Sequence, residues 1–329
     1  MTHKIWIPEA LEGIEKVEAF INQDISSPEE IIELDYPQVG QRRLEEFIEA
    51  KNKEEYSAMV SLLSYPMNRE NLKKISHLKA ISNYAVGYNN IDLDAARELG
   101  IPVGYTPDVL NEATADTALT LLLMCCRKVP YVTREVKEGN WQSFELKKYN
   151  GIDPRDLRIG IIGMGRIGET FARKCYKLWG NKIFTLKRKS LENREFDFPI
   201  QIVEEEEFFK EVNLVSLHCP LTDQTHKMFN RAYIEKFKHP LVFINTARGA
   251  IHEEEDLLWA LREGKIISLG LDVTDPEPMD KDHQLLKDDR AIIFPHIGSA
   301  TKRTRSEMST MALRNLAEVL RGRTMPHEA

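Results

Sequence analysis

The sequence predicts an α/β protein built from two doubly wound domains, each with a parallel sheet. Short apolar runs alternate with helical patterns along most of the chain, which is typical of parallel sheets. One β-branched run, 159–162, is followed by glycines in the spacing G-x-G-x-x-G and then by a helical pattern. The length of 329 residues suits two domains of ordinary size better than one.

The N-terminal third of the chain predicts a separate α/β unit. This unit lacks the G-x-G-x-x-G spacing, which we call the glycine fingerprint. The predicted strands are 4–7, 56–63, 78–84 and 101–105, and the predicted helices are 41–51, 68–75 and 92–99. Asp92 stands where its carboxylate can cap the third of these helices. The amides of Val86 and Gly87, just before it, can face a ligand. A plain turn from strand to helix is the alternative.

The next predicted helix, 110–128, is apolar on nearly every side between Ala113 and Cys126. Asp116 interrupts the run, which is also shorter than the roughly 20 residues needed to span a bilayer. A helix that is apolar all round is buried all round. We therefore expect its own domain to cover one face and the second subunit of a homodimer to cover the other, at residues such as Leu122. Burial entirely within one subunit is the alternative.

The glycine fingerprint stands between the strand 159–162 and a helix predicted over 167–179. Gly163 permits a tight turn, Gly165 lets the backbone approach a pyrophosphate, and Gly168 lets the helix pack closely on the strand. The N-terminus of that helix favours a phosphate. These features predict a dinucleotide-binding site, and a glycine-rich turn without a ligand is the alternative.

The second strand of this domain, 182–186, ends in Lys187, Arg188 and Lys189. In this fold a carboxylate near that point would hold the ribose hydroxyls of NAD, and no Asp or Glu stands there. Three cations suit a 2'-phosphate instead. The sequence therefore predicts NADPH as the preferred cofactor, with NAD possible, and a solvated charge run is the alternative.

Polar residues follow the later strands of the same domain. Those strands are predicted at 212–217, 241–245, 266–273 and 291–294, with a helix at 253–262. Ligands of an open α/β sheet bind beyond the carboxyl ends of its strands, where Arg248, Glu277 and His296 fall. Arg248 offers a planar fork for a carboxylate, and His296 exchanges a proton near neutral pH, with Glu277 able to stabilise its imidazolium. Together with a nicotinamide cofactor, these residues suit the reduction of a 2-keto acid. Each of them alone could equally have a purely structural role.

The composition argues against several classes of partner. A net charge of −7 lacks the excess of Lys and Arg that nucleic-acid binding requires. Cys125, Cys126, Cys175 and Cys219 form no C-x-x-C pair and lie in apolar segments, which predicts buried reduced thiols. The first residues lack the apolar core of a signal peptide. We expect a cytoplasmic protein without a metal, membrane or nucleic-acid partner.

Six motifs occur in order between residues 86 and 301. They are Val86-Gly87, Gly-Tyr-Thr-Pro-Asp-Val-Leu at 104–110, the glycine fingerprint, Phe-Ile-Asn-Thr-Ala-Arg-Gly at 243–249, Gly-Leu-Asp-Val-Thr with Pro-Glu-Pro at 270–278, and Pro-His-Ile-Gly-Ser-Ala-Thr at 295–301. On these motifs the chain resembles the D-isomer-specific 2-hydroxyacid dehydrogenase family, and within it most closely the glyoxylate/hydroxypyruvate reductases.

The resemblance implies a Rossmann cofactor domain, 107–298, inserted in a flavodoxin-like substrate domain made of 1–106 and 299–329. It implies a homodimer that reduces a small 2-keto acid, glyoxylate or hydroxypyruvate, to glycolate or D-glycerate. The catalytic set is then Arg248, Glu277 and His296, and Val86, Gly87 and Ser299 help to hold the substrate. The positions that match cofactor contacts are Gly163, Gly165, Arg166, Ile167, Gly168, Arg188, Cys219, Pro220, Thr246, Asp272 and Gly298.

Three questions about the function stay open. Similar reductases tend to carry a second tryptophan shortly after the one matching Trp141, and this chain has Phe144, so the choice between the two keto acids is open. D-lactate or D-glycerate dehydrogenase activity is the enzymatic alternative. A nucleotide-sensing co-repressor of the same fold is the alternative of a different class, and we expect it less because no long tail follows the last helix.

Overall fold

The computed structural model describes residues 2–23 and 31–329 of the chain. They divide into two compact units, the first made of Met1–Leu110 with Ser299–Ala329 and the second of Asn111–Gly298. Each unit is built on one parallel sheet, with five strands in the first and seven in the second. The predicted α/β fold class with two parallel-sheet domains is confirmed.

The sheet of the first unit has the strand order of flavodoxin-like folds. Its strands are β1 (Thr2–Trp6), β2 (Ile31–Asp35), β3 (Tyr56–Ser61), β4 (Ala80–Asn83) and β5 (Val103–Gly104). They lie in the order β2-β1-β3-β4-β5, and every pair is parallel. Edge strand β2 was not predicted, because it buries only alternate side chains, Ile32 and Leu34, and so lacks the continuous apolar run of a central strand.

Helices cover this first sheet. They are α1 (Ile14–Gln23), α2 (Leu44–Glu49), α3 (Arg69–Lys74) and α4 (Leu93–Glu98), with the last helix of the chain returning to the same unit. Phe47 and Leu72 pack into a core around Trp6. Asp92 caps α4 as predicted, because its side chain accepts a hydrogen bond from the Ala95 N–H at 2.9 Å. Helix α1 was not predicted.

The sheet of the second unit has the Rossmann order with one additional strand. Its strands are β6 (Arg158–Ile162), β7 (Lys182–Leu186), β8 (Gln201–Val203), β9 (Leu214–Leu217), β10 (Leu241–Asn245), β11 (Ile266–Leu271) and β12 (Ala291–Ile293). They lie in the order β12-β11-β10-β9-β6-β7-β8, all parallel. The chain therefore changes direction across the sheet at β6, between β7 and β9, where folds of this kind bind ligands.

Helices cover both faces of the second sheet. They are α5 (Asn111–Cys126), α6 (Val129–Lys137), α7 (Arg166–Trp179), α8 (Glu205–Glu211), α9 (Arg231–Ile234) and α10 (Glu254–Arg262), after which α11 (Lys302–Leu320) belongs to the first unit. Helices α5 and α7 share one apolar core with the sheet, and α8, α9 and α10 share the other. Helix α6 and strand β8 were not predicted.

The face of α5 that carries Leu121 and Leu122 is covered within its own unit, whereas Asp116, Thr120 and Leu123 on another face are exposed. Helix α5 packs against β10, β11 and α7. Leu121 and Leu122 are completely buried in one cluster with Phe171 of α7. Leu122 is therefore a core residue rather than an interface residue, which corrects that choice of residue. Contact of the exposed face of α5 with a second subunit stays a prediction.

The four cysteines are free and buried. Burial raises the pKa of the Cys125 and Cys126 thiols to about 12 and that of Cys219 to about 11. Across residues 2–23 and 31–329, no helix is both long and apolar enough to cross a membrane. The same residues contain no cluster of three or more His, Cys, Asp or Glu side chains that could bind a metal ion.

Leu122→Ala should lower the free energy of unfolding by about 2–5 kcal/mol, because it leaves a cavity in the core of the second unit. Leu123→Ala on the same helix is the matched control. The Leu123 side chain is 38% exposed, so this change should cost less than about 1 kcal/mol. Urea unfolding measures both variants, and equal losses would contradict the placement of Leu122 in the core.

Candidate active site

The predicted catalytic and cofactor-binding residues of the second unit follow the carboxyl ends of its strands. Strand β6 leads to the glycine loop, β10 to Arg248, β11 to Asp272 and β12 to His296. Because the strands are parallel, all these segments leave the sheet at one edge. Residues that are far apart in sequence are thereby brought to one side of the unit.

The glycine loop is tightly packed on the protein side. Gly163 has a φ of 100°, and a Cβ there would overlap the backbone of His218 and Cys219 just after β9. A Cβ at Gly168 would overlap the carbonyl oxygen of Gly163, so glycine is needed where α7 meets the turn. A Cβ at Gly165, in contrast, would meet no atom within 4 Å. The loop is closed towards the sheet and open around Gly165.

Two further observations show that this edge fits a dinucleotide cofactor. Helix α7 begins at Arg166 with Gly165 as its N-cap, and no side chain caps its first turn. Its first N–H groups and its dipole therefore favour an anion. The hydroxyl of Thr246, after β10, is buried without a hydrogen-bond partner among the described residues. Such a group is costly unless a ligand or a water pairs with it. NAD or NADP meets both requirements.

The three cations after β7 are exposed, and one of them is already paired. Lys187 forms an ion pair with Glu204, the N-cap residue of α8, at 3.1 Å. This acidic partner was not recognised from the sequence, because it comes from the next strand-to-helix turn. This ion pair neutralises the charge of Lys187, so Arg188 and Lys189 supply most of the positive charge that can attract an anion here. Exposure and salt weaken such attractions.

Arg248 is held by a tight loop after β10. Asn245, buried at the strand end, donates from Nδ2 to the Arg248 carbonyl oxygen at 2.8 Å and accepts the Ala247 N–H at 2.8 Å. A Cβ at Gly249 would overlap the Thr274 carbonyl oxygen, so this loop lies directly against the one after β11. The backbone that carries the Arg248 side chain is therefore fixed on both sides. Asn245 stood within a recognised motif, but its role became visible only in the fold.

His296 and Glu277 form the pair that the sequence analysis required. Nδ1 of His296 lies 2.8 Å from Oε2 of Glu277. Burial alone would raise the pKa of Glu277, but the hydrogen bond and charge of His296 and the charge of Arg248 lower it below its usual value. The ionised carboxylate accepts the Nδ1–H, which leaves Nε2 of His296 to exchange a proton. The three predicted catalytic residues thus lie close enough to interact.

Asp272 supports the loop that carries His296. Its Oδ1 accepts the Ile297 N–H at 2.7 Å and its Oδ2 accepts the Gly298 N–H at 2.8 Å. Burial raises the pKa of this carboxyl group, while these hydrogen bonds and the charge of His296 oppose the rise. His296 itself has a φ of 54°, in the left-handed region. The sequence suggested a cofactor contact for Asp272 by resemblance and gave no sign of this supporting role.

Two other histidines near this edge are poor candidates for proton transfer. His218, after β9, is only partly exposed, and its Nε2 lies 2.9 Å from the Ser216 hydroxyl oxygen, with which it forms a hydrogen bond. Burial lowers the pKa of His218 to about 3, and it does the same for His252. Both rings stay neutral near pH 7. His296, by contrast, pairs with the Glu277 carboxylate.

Three predicted substrate-binding residues belong to the first unit. Val86 and Gly87 lie in the turn after β4, and Ser299 lies just before α11. The buried side chain of Asn83 donates to the Gly87 carbonyl oxygen at 2.9 Å and to the Asn90 side chain at 3.2 Å. These two asparagines fix the turn, and the sequence gave no signal for either.

A cavity of about 940 Å³ lies away from all these residues. It is lined by side chains that include Cys125, Lys128, Arg134, Arg262 and Arg290. Arg290 immediately precedes β12, and the lining residue Ile267 stands at the beginning of β11, so the cavity lies towards the amino ends of the strands. Its size alone therefore does not locate the active site.

Comparison with known proteins agrees with this geometry. Residues 119–298 match the family model described as D-isomer specific 2-hydroxyacid dehydrogenase, NAD binding domain. The chain is 40% identical over 253 residues to a glyoxylate reductase/hydroxypyruvate reductase of Homo sapiens, covering 77% of each protein. A solved structure from Thermus thermophilus matches with a TM-score of 0.87 at 34% identity over 99% of both chains. An NADPH-dependent glyoxylate/hydroxypyruvate reductase of Sinorhizobium meliloti, solved with citrate, matches with a TM-score of 0.80 at 25% identity, over 99% of this chain and 97% of that chain.

Proposed function

Because the chain belongs to the D-isomer specific 2-hydroxyacid dehydrogenase family, we propose that it reduces glyoxylate, hydroxypyruvate or both to glycolate and D-glycerate. The observation that carries the proposal is the 2.8 Å contact between His296 Nδ1 and Glu277, with Arg248 close enough for its charge to act on Glu277. The name of the relative from Homo sapiens supports these two substrates.

In the proposed reaction His296 donates a proton to the keto oxygen, which becomes the hydroxyl of the product. Since Nδ1–H is given to Glu277, the transferable proton sits on Nε2. The Glu277 carboxylate stabilises the imidazolium before the transfer and keeps the ring oriented after it. The bound nicotinamide cofactor supplies the hydride to the keto carbon. In the direction of oxidation, neutral His296 accepts the hydroxyl proton.

Arg248 is the proposed partner of the substrate carboxylate. Its planar guanidinium can form two parallel hydrogen bonds to the two carboxylate oxygens. Partial burial strengthens these bonds, because less water competes for the charge. A small keto acid held by Arg248 at its carboxylate and by His296 at its keto oxygen has both ends fixed, which favours the reaction. The amides of Val86 and Gly87 and the Ser299 hydroxyl remain proposed substrate contacts.

We propose NADPH as the preferred cofactor, with NADH as a possible one. Arg188 is the main candidate for the 2'-phosphate, because its fork can bind phosphate oxygens and Lys187 is already paired with Glu204. The name of the Sinorhizobium meliloti relative supports this preference. The remaining proposed cofactor contacts are Gly163, Gly165, Arg166, Ile167, Gly168, Lys189, Cys219, Pro220, Thr246, Asp272 and Gly298.

We further propose a cytoplasmic homodimer. Trp141, Phe144 and Leu146 are 60%, 87% and 78% exposed on one short segment after α6. Large apolar side chains exposed this close together are typical of a contact surface. This surface is therefore a proposed interface, in addition to the exposed face of α5 that carries Leu123. The buried free cysteines fit a reducing compartment.

Steady-state kinetics with glyoxylate, hydroxypyruvate and pyruvate, each with NADPH and NADH, test the reaction and the role of Arg248. The first two substrates should be turned over faster than pyruvate.

Arg248→Lys should lower kcat/KM for the keto acid at least about tenfold, since a charge-assisted hydrogen bond is worth roughly 1.5–3 kcal/mol. Arg262→Lys, on the exposed surface of α10, is the control. A value for Arg248→Lys within about threefold of the unmodified enzyme would exclude this role.

Glu277→Gln should shift the pH profile of reduction. Reduction needs protonated His296, so its rate falls as the pH rises. Removing the adjacent anion disfavours the imidazolium, and the falling limb should therefore move to lower pH. Glu253→Gln is the control, because Glu253 pairs with Lys227 at 2.7 Å instead. If the limb stays in place in the kcat/KM profile of Glu277→Gln, another group sets it.

Arg188→Ala should lower kcat/KM for NADPH about tenfold or more and change that for NADH little, because only NADPH carries the 2'-phosphate. Lys182→Ala, at the opposite end of β7, is the control for loss of a cation. Kinetics at low salt with both cofactors measure the effect. Equal values of kcat/KM for NADPH and NADH in the unmodified enzyme would refute the preference.

Light scattering at micromolar concentration should give twice the subunit mass of 38.0 kDa. Leu146→Asp should shift the mass towards one subunit, because it places a charge in the proposed apolar contact. Lys147→Asp, the neighbouring polar position, is the control. A single-subunit mass for the unmodified protein would overturn the dimer.

A further inference from the structure

We propose that Arg194 is a positioning residue for the cofactor, acting through the glycine loop. This inference rests on the proposed nicotinamide cofactor and concerns a residue outside every motif described above. Arg194 lies in the connection between β7 and β8. Its Nη1 donates a hydrogen bond to the Met164 carbonyl oxygen at 2.6 Å, and its Nη2 pairs with Glu169 in α7. Arg194 therefore links the middle of the glycine loop to the helix that follows it.

The contact with the Met164 carbonyl determines where the next amide points. In a trans peptide the C=O and N–H groups point in opposite directions. Holding the Met164 oxygen on the side of Arg194 therefore directs the Gly165 N–H to the opposite side. The position that a Cβ of Gly165 would occupy is open, since it has no atom within 4 Å. In this proposal, Arg194 thereby directs the Gly165 amide towards a phosphate of the cofactor.

The loop needs such an external contact because glycine stands on both sides of Met164. Glycine has little intrinsic backbone preference, so Gly163 and Gly165 alone do not fix the orientation of the intervening peptide groups. The Met164 side chain is buried, but that anchors the side chain and not the plane of the following peptide. A charged donor on the carbonyl also polarises the peptide, which makes its N–H a stronger donor to a phosphate.

Arg194 is itself held in place. Glu169, whose side chain is largely buried, pairs with both Arg194 and Arg173. The guanidinium of Arg194 lies 5.1 Å from the ring centre of Phe196. Arg173 shares Glu169 but makes its other ion pair with Asp197, at 2.8 Å. The two arginines thus have the same anionic partner, and Arg194 is the one bonded to the glycine loop.

This placement predicts an effect on both cofactors alike. The pyrophosphate is common to NADPH and NADH, so a misdirected Gly165 amide weakens both. Arg188, in contrast, is proposed to act on the 2'-phosphate and to separate the two cofactors. The ratio of the two dissociation constants therefore distinguishes positioning of the loop from recognition of the extra phosphate.

The test measures the Kd of NADPH and of NADH by fluorescence titration, without substrate. Arg194→Met keeps the apolar stem of the side chain and removes every donor. Both Kd values should rise roughly tenfold with their ratio unchanged, as expected for loss of a charge-assisted hydrogen bond. Arg173→Met is the matched control, because it removes a pairing with the same Glu169 and leaves the loop contact. Its Kd values should stay within about twofold of the unmodified protein.

Unchanged Kd values in Arg194→Met, or equal rises in Arg173→Met, would overturn the inference. A rise for NADPH alone would also overturn it, since that would mark Arg194 as a phosphate contact. If Arg194→Met does not fold, Glu169→Gln serves instead, because it removes the charge that orients Arg194. Both Kd values should then rise in parallel, and no change would again reject the proposal. If neither cofactor binds the unmodified protein, the proposed function fails rather than this inference.

Discussion

Parallel pairing of the strands of the second unit is the constraint on which the candidate site depends. Asn245 at the end of β10 pairs with Leu271 of β11, and Leu271 pairs with Ile293 of β12. This register places the starting points of three loops side by side. Arg248, Glu277 and His296 can therefore meet although they come from separate loops. A shift of one residue in any pair would turn alternate side chains to the other face and displace a loop.

Buried polar side chains then hold each loop in place at the end of the strand from which it starts. Asp272 accepts hydrogen bonds from two backbone N–H groups of the His296 loop. In the Arg248 loop, the Asn245 amide accepts the Ala247 N–H and donates to the Arg248 carbonyl oxygen. Removing such a group would leave buried donors or acceptors unpaired, which costs more than the net value of the bond. The chemistry of His296 thus rests on residues that never touch a substrate. Arg194 is proposed to hold the glycine loop in a similar way, but as a charged donor to a carbonyl oxygen rather than as an acceptor of N–H groups.

Much of this arrangement could be predicted from the sequence, and the exceptions have physical causes. The bounds of β7 and β10 were predicted to the residue because both are continuous buried runs, and the roles of Gly163 and Gly168 follow from their spacing. Edge strands β2 and β8 were missed because fewer of their side chains are buried. Leu122 was wrongly assigned to an interface, because the sequence of an apolar helix does not show which of its side chains its own domain buries. Contacts of Asp272 and Arg194 join segments distant in sequence, so no local pattern encodes them.

Because the cysteines are buried, their chemical modification reports how often the second unit unfolds locally. Cys125 and Cys126 end α5, Cys175 lies in α7 and Cys219 follows β9, so all four report on the second unit. Burial raises the pKa of the Cys125 and Cys126 thiols to about 12, so both stay protonated and unreactive near pH 7. Cys125 lines the cavity described above, whereas Cys175 is completely buried, so oxidants and alkylating reagents reach Cys175 mainly when the unit opens. The rate at which the Cys175 thiol is modified then measures the rate of local unfolding in the second unit, and no engineered label is needed.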